Sequence, residues 1–213
     1  MSQYLSPSTA LDQPAGGTSL AARWSEADHA QRRDLIVACS LDLLHEHGRS
    51  ALTMRRVASE LGIGAMTLYT YFESQEALWR AMVRRGFELL HQQCEAASTL
   101  DTEQGWRGSA RSYLRFALEH PNLYKLMFDT PMAEDDSDLL EGGFEALLDK
   151  VRARLVDQGE SGAALSRHAR RAAGRYWIAL HGLAMLAIAG RLSVLGDDVD
   201  TLIDDLLARI APT

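Results

Sequence analysis

Residues 53–75, TMRRVASELGIGAMTLYTYFESQ, have the pattern of two short helices joined by a tight glycine turn. Thr53 is a favourable N-cap for the first helix, because its hydroxyl can accept a free N–H of the first turn. Gly62 accepts the left-handed backbone of a sharp reversal, and Ile63 supplies an apolar plug beneath it. The first helix is expected to bury one apolar face, made of Val57, Ala58 and Leu61.

The second helix is predicted to span Ala65–Phe72, with Leu68 and Phe72 facing inward. Its other face holds small or hydrogen-bonding residues, namely Ala65, Met66, Thr67, Tyr69, Thr70 and Tyr71. Such side chains can approach base edges and phosphates, so this pattern predicts a helix that reads a DNA groove. We call it the reader helix.

Tyr69 and Tyr71 point in successive directions along the reader helix, so at least one of them must be exposed. Arg55, near the start of the first helix, can reach the groove. In the free protein we expect both Arg55 and Tyr71 to be exposed. Arg56 has two open interpretations, a DNA contact or a solvated surface charge.

The pattern from Thr53 to Phe72, extended to Leu78, resembles the DNA-binding domain of the TetR (tetracycline-repressor-like) transcriptional regulators. The resemblance covers roughly residues 27–88. It implies that Arg55 reads a base, that Tyr69 and Tyr71 donate to phosphates, and that Thr67 lies near phosphate or base edges. The family usually has Lys where this chain has Gln75, so that phosphate contact is expected to be weak or missing. The predicted DNA-binding residues are Thr53, Arg55, Arg56, Ala65, Met66, Thr67, Tyr69, Thr70, Tyr71 and Gln75.

A second resemblance lies downstream. Residues 116–128 and the motif Trp177-x-x-x-His181-Gly182 are similar to one subgroup of the family's ligand-binding domains. This implies an apolar pocket with a few polar groups, the usual form of a small-molecule site. For each single residue a purely structural place in the core remains the alternative. The predicted ligand-binding residues are Trp106, Tyr113, Phe116, His120, Tyr124, Met127, Phe128, Phe144, Tyr176, Trp177 and His181.

The charge distribution is compatible with a DNA partner, although the 213-residue chain has a net charge of −7. From Arg23 to Ser98, nine Arg residues face ten Asp and Glu residues. From Thr99 onward, thirteen Lys and Arg residues face eighteen acids. The acidity is therefore mostly downstream, and a near-neutral domain with local arginine pairs suits a selective DNA binder.

The predicted fold class is all-α, with about nine helices. Residues 1–22 are expected to form a disordered arm without a basic residue, and 23–73 a three-helix DNA-binding domain. Residues 74–97 would be a connecting helix, and 98–213 a ligand-binding and dimerisation domain. Before the two short helices, an N-terminal helix is expected from Ser25 to His47. Further helices are expected at 103–119, 121–129, 137–157, 161–190 and 197–211.

Small residues in a long apolar helix predict a close helix contact. Gly174, Ala179, Gly182, Ala184, Ala187, Ala189 and Gly190 fall in this helix, and the last helix has Leu202, Ile203, Leu206, Leu207 and Ile210. These two stripes suit a symmetric four-helix interface in a homodimer. Burial within one subunit is the alternative.

Other sites receive little support. His45 and His47 are two residues apart, which does not place them on one helix face as a zinc site requires. Cys39 and Cys94 fall at apolar helical positions, which favours burial over a disulfide. No long apolar segment, export signal or cofactor motif occurs, so a cytoplasmic protein without membrane contact is expected.

The sequence thus predicts a homodimeric regulator, most simply a repressor, with double-stranded operator DNA and a small-molecule effector as partners. A helical binding protein for hydrophobic ligands, whose two short helices serve only as packing, is the rival interpretation. An enzyme comes third, because no nucleophile with a neighbouring base is evident.

Overall fold

The computed structural model describes residues 20–97, 103–130 and 137–208. This part of the chain contains ten α-helices and no strand, which confirms the all-α fold class. Short 3-10 helices lie at Arg49–Ala51 and Leu192–Leu195. The α-helices are α1 Leu20–Glu26, α2 His29–His47, α3 Met54–Glu60, α4 Ala65–Tyr69, α5 Gln75–Ala97, α6 Glu103–Glu119, α7 Pro121–Asp129, α8 Ser137–Asp157, α9 Ala163–Ile188 and α10 Val199–Ala208.

The described residues form two compact units. Unit 1 contains the residues up to Gly86 together with residues 119–130, so it includes α7 as well as the expected DNA-binding helices. Unit 2 contains residues 87–118 and the residues after 136. Helix α5 is uninterrupted, and its first half belongs to unit 1 while its second half belongs to unit 2.

The prediction of a single helix from Ser25 to His47 was wrong. A break at Asp28 separates α1 from α2 because Asp28 forms a capping box with Gln31. The Gln31 backbone N–H donates to the Asp28 carboxylate at 2.9 Å, and the Asp28 N–H donates to the Gln31 side chain at 2.9 Å. Helix α1 also begins at Leu20, inside the segment expected to be disordered, while residues 1–19 lie outside the described part.

The helix-turn-helix core of unit 1 follows the sequence pattern. Thr53 caps α3, since its hydroxyl accepts the backbone N–H of Arg56. Gly62 has φ +70° and turns the chain between α3 and α4, a conformation that other residues adopt only with strain. The side chains expected to face inward are all buried: Val57, Ala58, Leu61, Leu68 and Phe72.

The reader helix is shorter than predicted. Helix α4 ends at Tyr69, because the chain tightens at Thr70, whose backbone N–H donates to the carbonyls of Thr67 and Leu68. The Thr70 hydroxyl also donates to the Thr67 carbonyl at 2.7 Å. Hydroxyl side chains near a helix end compete in this way with the regular helix pattern.

Helix α7 packs within unit 1 against α2 and α5. The Asn122 side chain donates to the Leu44 carbonyl at 3.0 Å, and so satisfies one of the free carbonyls near the end of α2. At Gly86 of α5, an added Cβ would lie 2.7 Å from the Met127 sulfur and 3.2 Å from Leu123 Cδ1. Glycine at position 86 therefore permits the close approach of α7.

Unit 2 is built on the long pair α8 and α9, with α10 packed on α9. Two ion pairs join α6 to α10, Arg107 to Asp204 at 2.9 Å and Arg111 to Asp200 at 2.7 Å. Helices α9 and α10 are shorter than predicted, starting two residues later, and α9 ends at Ile188. Residues 209–211 of the predicted last helix lie outside the described part.

Candidate nucleic-acid interface and ligand-binding residues

Helix α4 presents an exposed face without a single charged side chain. Met66 in its first turn is 78% exposed, and Tyr69 is 46% exposed. Thr67 and Thr70 are exposed too, and Ala65 is half-buried. The prediction that at least one of Tyr69 and Tyr71 is exposed is confirmed. The face offers hydroxyl groups and one long apolar side chain to a partner.

Three residues at the start of α3, the helix that precedes α4 in the sequence, are also exposed. Thr53 is the N-cap, and Arg55 and Arg56 follow in the first turn. The Arg56 side chain lies 4.0 Å from Glu60, one turn later, and both are solvent-exposed. Arg55 makes no hydrogen bond or ion pair with any described residue. A neighbouring pair of arginines thus contains one engaged and one available guanidinium.

Tyr71 is half-buried, so the expectation that its side chain is exposed was wrong. Its ring packs edge-on against Trp24 at 5.5 Å between centroids and lies 4.7 Å from the His29 ring. Arg33 donates to the Tyr71 carbonyl at 2.7 Å and lies 4.2 Å from the Phe72 ring centroid. Sequence reasoning missed this cluster, because three of its members lie about 40 residues upstream.

Gln75 has a structural contact. Its side-chain amide donates to the Leu52 carbonyl at 2.8 Å and is half-buried. The contact ties the first turn of α5 to the loop before α3. A side chain held in this way is less available for DNA than the exposed residues of α4.

The predicted ligand-binding residues divide between the two units. Four of them belong to unit 1: His120 is the N-cap of α7, and Tyr124, Met127 and Phe128 lie within α7. The Tyr124 ring lies 4.8 Å from that of Phe128, and the His120 ring lies 6.2 Å from that of His45. Burial and the nearby His45 both lower the pKa of His120 below its ordinary value.

The other seven predicted ligand-binding residues belong to unit 2. Trp106 and Tyr176 form an edge-to-face pair at 5.9 Å, and Phe144 and Trp177 form another at 6.2 Å. Tyr113 and Phe116 are buried core residues of α6. Burial lowers the pKa of His181. These seven predicted residues therefore lie on three different helices, α6, α8 and α9.

Comparison with known proteins identifies the family. Residues 36–82 match the family model of bacterial regulatory proteins of the tetR family, and residues 106–210 match the tetracyclin-repressor-like C-terminal domain. The chain is 30% identical to an uncharacterised helix-turn-helix transcriptional regulator of Mycobacterium tuberculosis, over 84% of this chain and 79% of that protein. The chain belongs to the TetR family of transcriptional regulators.

Two further similarities support the TetR assignment. The class C tetracycline repressor protein of Escherichia coli is 28% identical, over 42% of this chain and 41% of that protein. The crystal structure of BioQ with its natural double-stranded DNA operator is 26% identical, with a TM-score of 0.54, and covers 83% of this chain and 98% of that one. As in other TetR regulators, the helix-turn-helix is a DNA-binding element. The members of this family are regulatory proteins.

The two stripes predicted for a dimer interface in this TetR regulator are only partly exposed. Ala184, Ile203 and Leu207 are buried inside unit 2, so their assignment to an interface was wrong. They instead hold the protomer's own helices together. On one side of α9, Ile178 and Met185 are exposed and Gly174 and Gly182 are half-buried. Together with the exposed cap residue Ala189 these positions are three or four apart, and we call them the α9 face.

The remaining predicted features have simple structural positions. Cys39 is buried, and burial raises the pKa of its thiol to about 12. Cys94 is half-buried, and burial raises its pKa to about 11. Both cysteines are free thiols. Within residues 20–97, 103–130 and 137–208, no group of three metal-binding side chains occurs. None of the helices described is long and apolar enough to cross a membrane.

Proposed function

We propose that this chain is a repressor that binds a pseudo-palindromic operator as a homodimer and is released by a small apolar or aromatic effector. The observation that carries the proposal is the exposed, uncharged face of α4 next to the available guanidinium of Arg55. A helix used only for packing has no reason to leave Met66 and Tyr69 in water. A helical ligand-binding protein without a DNA partner is therefore the weaker alternative.

The residues of this surface suit different parts of a duplex. Arg55 can bind guanine in the major groove through two hydrogen bonds, and the apolar Met66 side chain can contact the methyl group of thymine. Thr53, Thr67, Tyr69 and Thr70 supply hydroxyl groups for phosphates. Arg56 is the weaker candidate for reading a base, because Glu60 lies 4.0 Å from its side chain and competes for the guanidinium.

Tyr71 affects DNA binding in part by fixing the position of the reader helix. Its ring is clamped by Trp24 and His29, and its carbonyl is held by Arg33. This clamp fixes the end of the reader helix on α1 and α2. Gln75, bonded to Leu52, fixes the start of α5 in the same way.

The α9 face supports a symmetric dimer. Ile178 is 67% exposed and lies between Gly174 and Gly182, where an added Cβ would meet no atom within 4 Å. Glycines beside an exposed apolar residue allow a second helix to approach closely. Leu202 and Leu206 of α10 are half-buried, so their exposed parts add apolar surface for a partner subunit. A dimer places two reader helices one or more DNA turns apart, roughly 34–36 Å per turn.

Release requires the effector to favour a conformation with low DNA affinity. Helix α5 supplies a continuous connection, since it carries residues of both units, and α7 packs on α2 inside unit 1. A change in the direction of α5 or α7 would alter the placement of the helix-turn-helix. Typical coupling free energies are ~1–3 kcal/mol, and operator DNA must weaken effector binding by the same factor.

Selection of bound fragments from random and genomic DNA tests the proposal. A selected palindrome with two half-sites confirms a dimeric DNA reader, and the protein bound to it is then screened with apolar and aromatic compounds for release. Tryptophan fluorescence, to which Trp177 contributes, is titrated with and without operator and measures whether the compound and the operator weaken each other equally. Recovery of no preferred sequence would contradict the proposal and favour the ligand-binding alternative.

A further inference from the structure

Arg154 in unit 2 has no acidic partner among the described residues. Its Nε atom is shielded from solvent and makes no hydrogen bond there. The two other half-buried arginines of this acid-rich unit, Arg107 and Arg152, are each paired with a carboxylate. A half-buried guanidinium without a counter-charge is unfavourable, because its desolvation is not compensated. This arginine is therefore an exception that needs an explanation.

An aromatic side chain lies close to the Arg154 guanidinium. The guanidinium carbon lies 5.7 Å from the ring centroid of Trp106, within the range of a cation–π contact. This contact offsets part of the desolvation of the charge. It leaves the strongest requirement of a guanidinium, hydrogen bonds to a planar anion, unmet.

A second polar group without a hydrogen-bond partner belongs to a side chain that packs on the same ring. Tyr176 is only 5% exposed, and its ring packs edge-on against Trp106 at 5.9 Å. Its hydroxyl is buried and has no hydrogen-bond partner among the described residues. Buried tyrosine hydroxyls normally have such a partner, so this one is a rare case.

Both orphaned groups are hydrogen-bond donors. Burial and the nearby Cys94 raise the pKa of Tyr176, while the charge of Arg154 lowers it, and the net shift is upward. The hydroxyl therefore stays protonated at neutral pH. A guanidinium and a phenol hydroxyl together match an acceptor with one negative charge. A carboxylate fits better than a phosphate, because a doubly charged group would need more donors in a unit rich in acids.

We propose that Arg154 and Tyr176 recognise the carboxylate of an organic acid whose apolar body packs beside Trp106. This site gives the chemical class of the effector, and it rests on the ligand response proposed above. The sequence offered one signal for Arg154, which follows the buried Val151 by three residues and directly precedes the buried Leu155. A charged residue at that register on an apolar helix face is unusual.

Calorimetry with matched probes tests the site on the full-length protein. The probes are 2-naphthoate and decanoate, each compared with its neutral amide. At least one carboxylate should bind about tenfold more tightly than its amide, as a charge-assisted hydrogen bond implies. Arg154→Met should abolish this preference, and Tyr176→Phe should reduce it. Arg152→Met is the matched control, because Arg152 lies on the same helix and is paired with Asp149 at 2.6 Å.

The thermal stability of the ligand-free protein separates recognition from a structural role. Arg154→Met should keep or raise the melting temperature, since it removes an unpaired half-buried charge, whereas a structural arginine would lower it when lost. Carboxylates that bind no tighter than amides, or a preference that survives Arg154→Met, would overturn the site. If operator binding and its release by a neutral compound persist in that case, the proposed function stands and only the carboxylate site fails.

Discussion

Arg33 in α2 donates to the main-chain oxygen of Tyr71, just after the reader helix, at 2.7 Å, although the two residues are 38 positions apart. The same guanidinium lies 4.2 Å from the Phe72 ring centroid. One side chain thus fixes both the backbone and a buried ring at the end of the DNA-reading segment. A residue placed in this way can influence DNA affinity without touching DNA.

Arg33→Met should weaken operator binding by about 1 kcal/mol, the usual contribution of one such hydrogen bond, through a less ordered reader helix. The salt dependence of binding distinguishes this from a lost phosphate contact. A positioning role leaves the slope of log affinity against log salt unchanged, whereas a lost phosphate contact reduces it by about 0.9. Arg33→Lys, which keeps the charge but lacks the planar guanidinium, should behave like Arg33→Met. Full rescue by lysine would indicate a phosphate contact.

Met66 should read a thymine methyl group. Replacement of each thymine of the selected operator by deoxyuridine should reveal one position per half-site where affinity falls, and there Met66→Ala should remove the difference. The expected loss is about 0.8 kcal/mol at that base pair, the usual value of burying one such carbon group. The double-mutant cycle provides its own control, because other thymines keep their sensitivity in the variant. Equal sensitivity of wild type and Met66→Ala at every thymine would exclude the contact.

Ile178→Arg should give monomers in sedimentation velocity and abolish operator binding at the concentrations where the wild type binds. The charge would lie on the exposed α9 face, so the protomer should remain folded. Val156→Arg is the matched control, since Val156 is 50% exposed on α8 and lies outside this face. A dimer that persists in Ile178→Arg would place the interface elsewhere. Ala184→Arg is unsuitable for this test, because Ala184 belongs to the core of the protomer.

Gly86→Ala should destabilise the protein. Alanine gains roughly 0.8–1 kcal/mol of helix propensity over glycine, but overpacking a core costs about 1–3 kcal/mol. The second effect should prevail, because the new Cβ would lie 2.7 Å from the sulfur of the buried Met127. Denaturant unfolding measures the change. Met127→Ala should partly relieve it, so the double variant should be less destabilised than the sum of the two single variants. An additive result would argue against the contact.

Much of the fold could be predicted from local patterns, because they depend on short-range chemistry. The bounds of α6, α7 and α8 match the expected ones, since apolar periodicity, Pro121 and the acidic segment after it act within a few residues. The break at Asp28 was missed, although the capping box is visible in the sequence, because the apolar pattern continues across it.

The arrangement of the site was less predictable, because it depends on contacts between distant residues. Nothing near Tyr71 in the sequence indicates that Trp24 and His29 pack on its ring. Likewise, the aromatic residues expected to line one pocket occur in two units, since α7 packs with α2 rather than only with its sequence neighbours. Arg154 was not singled out from the sequence, because its contact with Trp106 joins residues that are 48 positions apart.

The affinity of Arg55→Ala for the selected operator and its single-base variants is the decisive measurement for the DNA-reading surface. Arg55 is exposed and makes no hydrogen bond or ion pair with the described residues, so the protein should keep its fold and its melting temperature. We predict a loss of ~1–3 kcal/mol on the best operator and lost discrimination at one base pair in each half-site. Arg56→Ala should instead weaken all sequences alike. Unchanged affinity and unchanged base preference in Arg55→Ala would contradict the proposed reading surface.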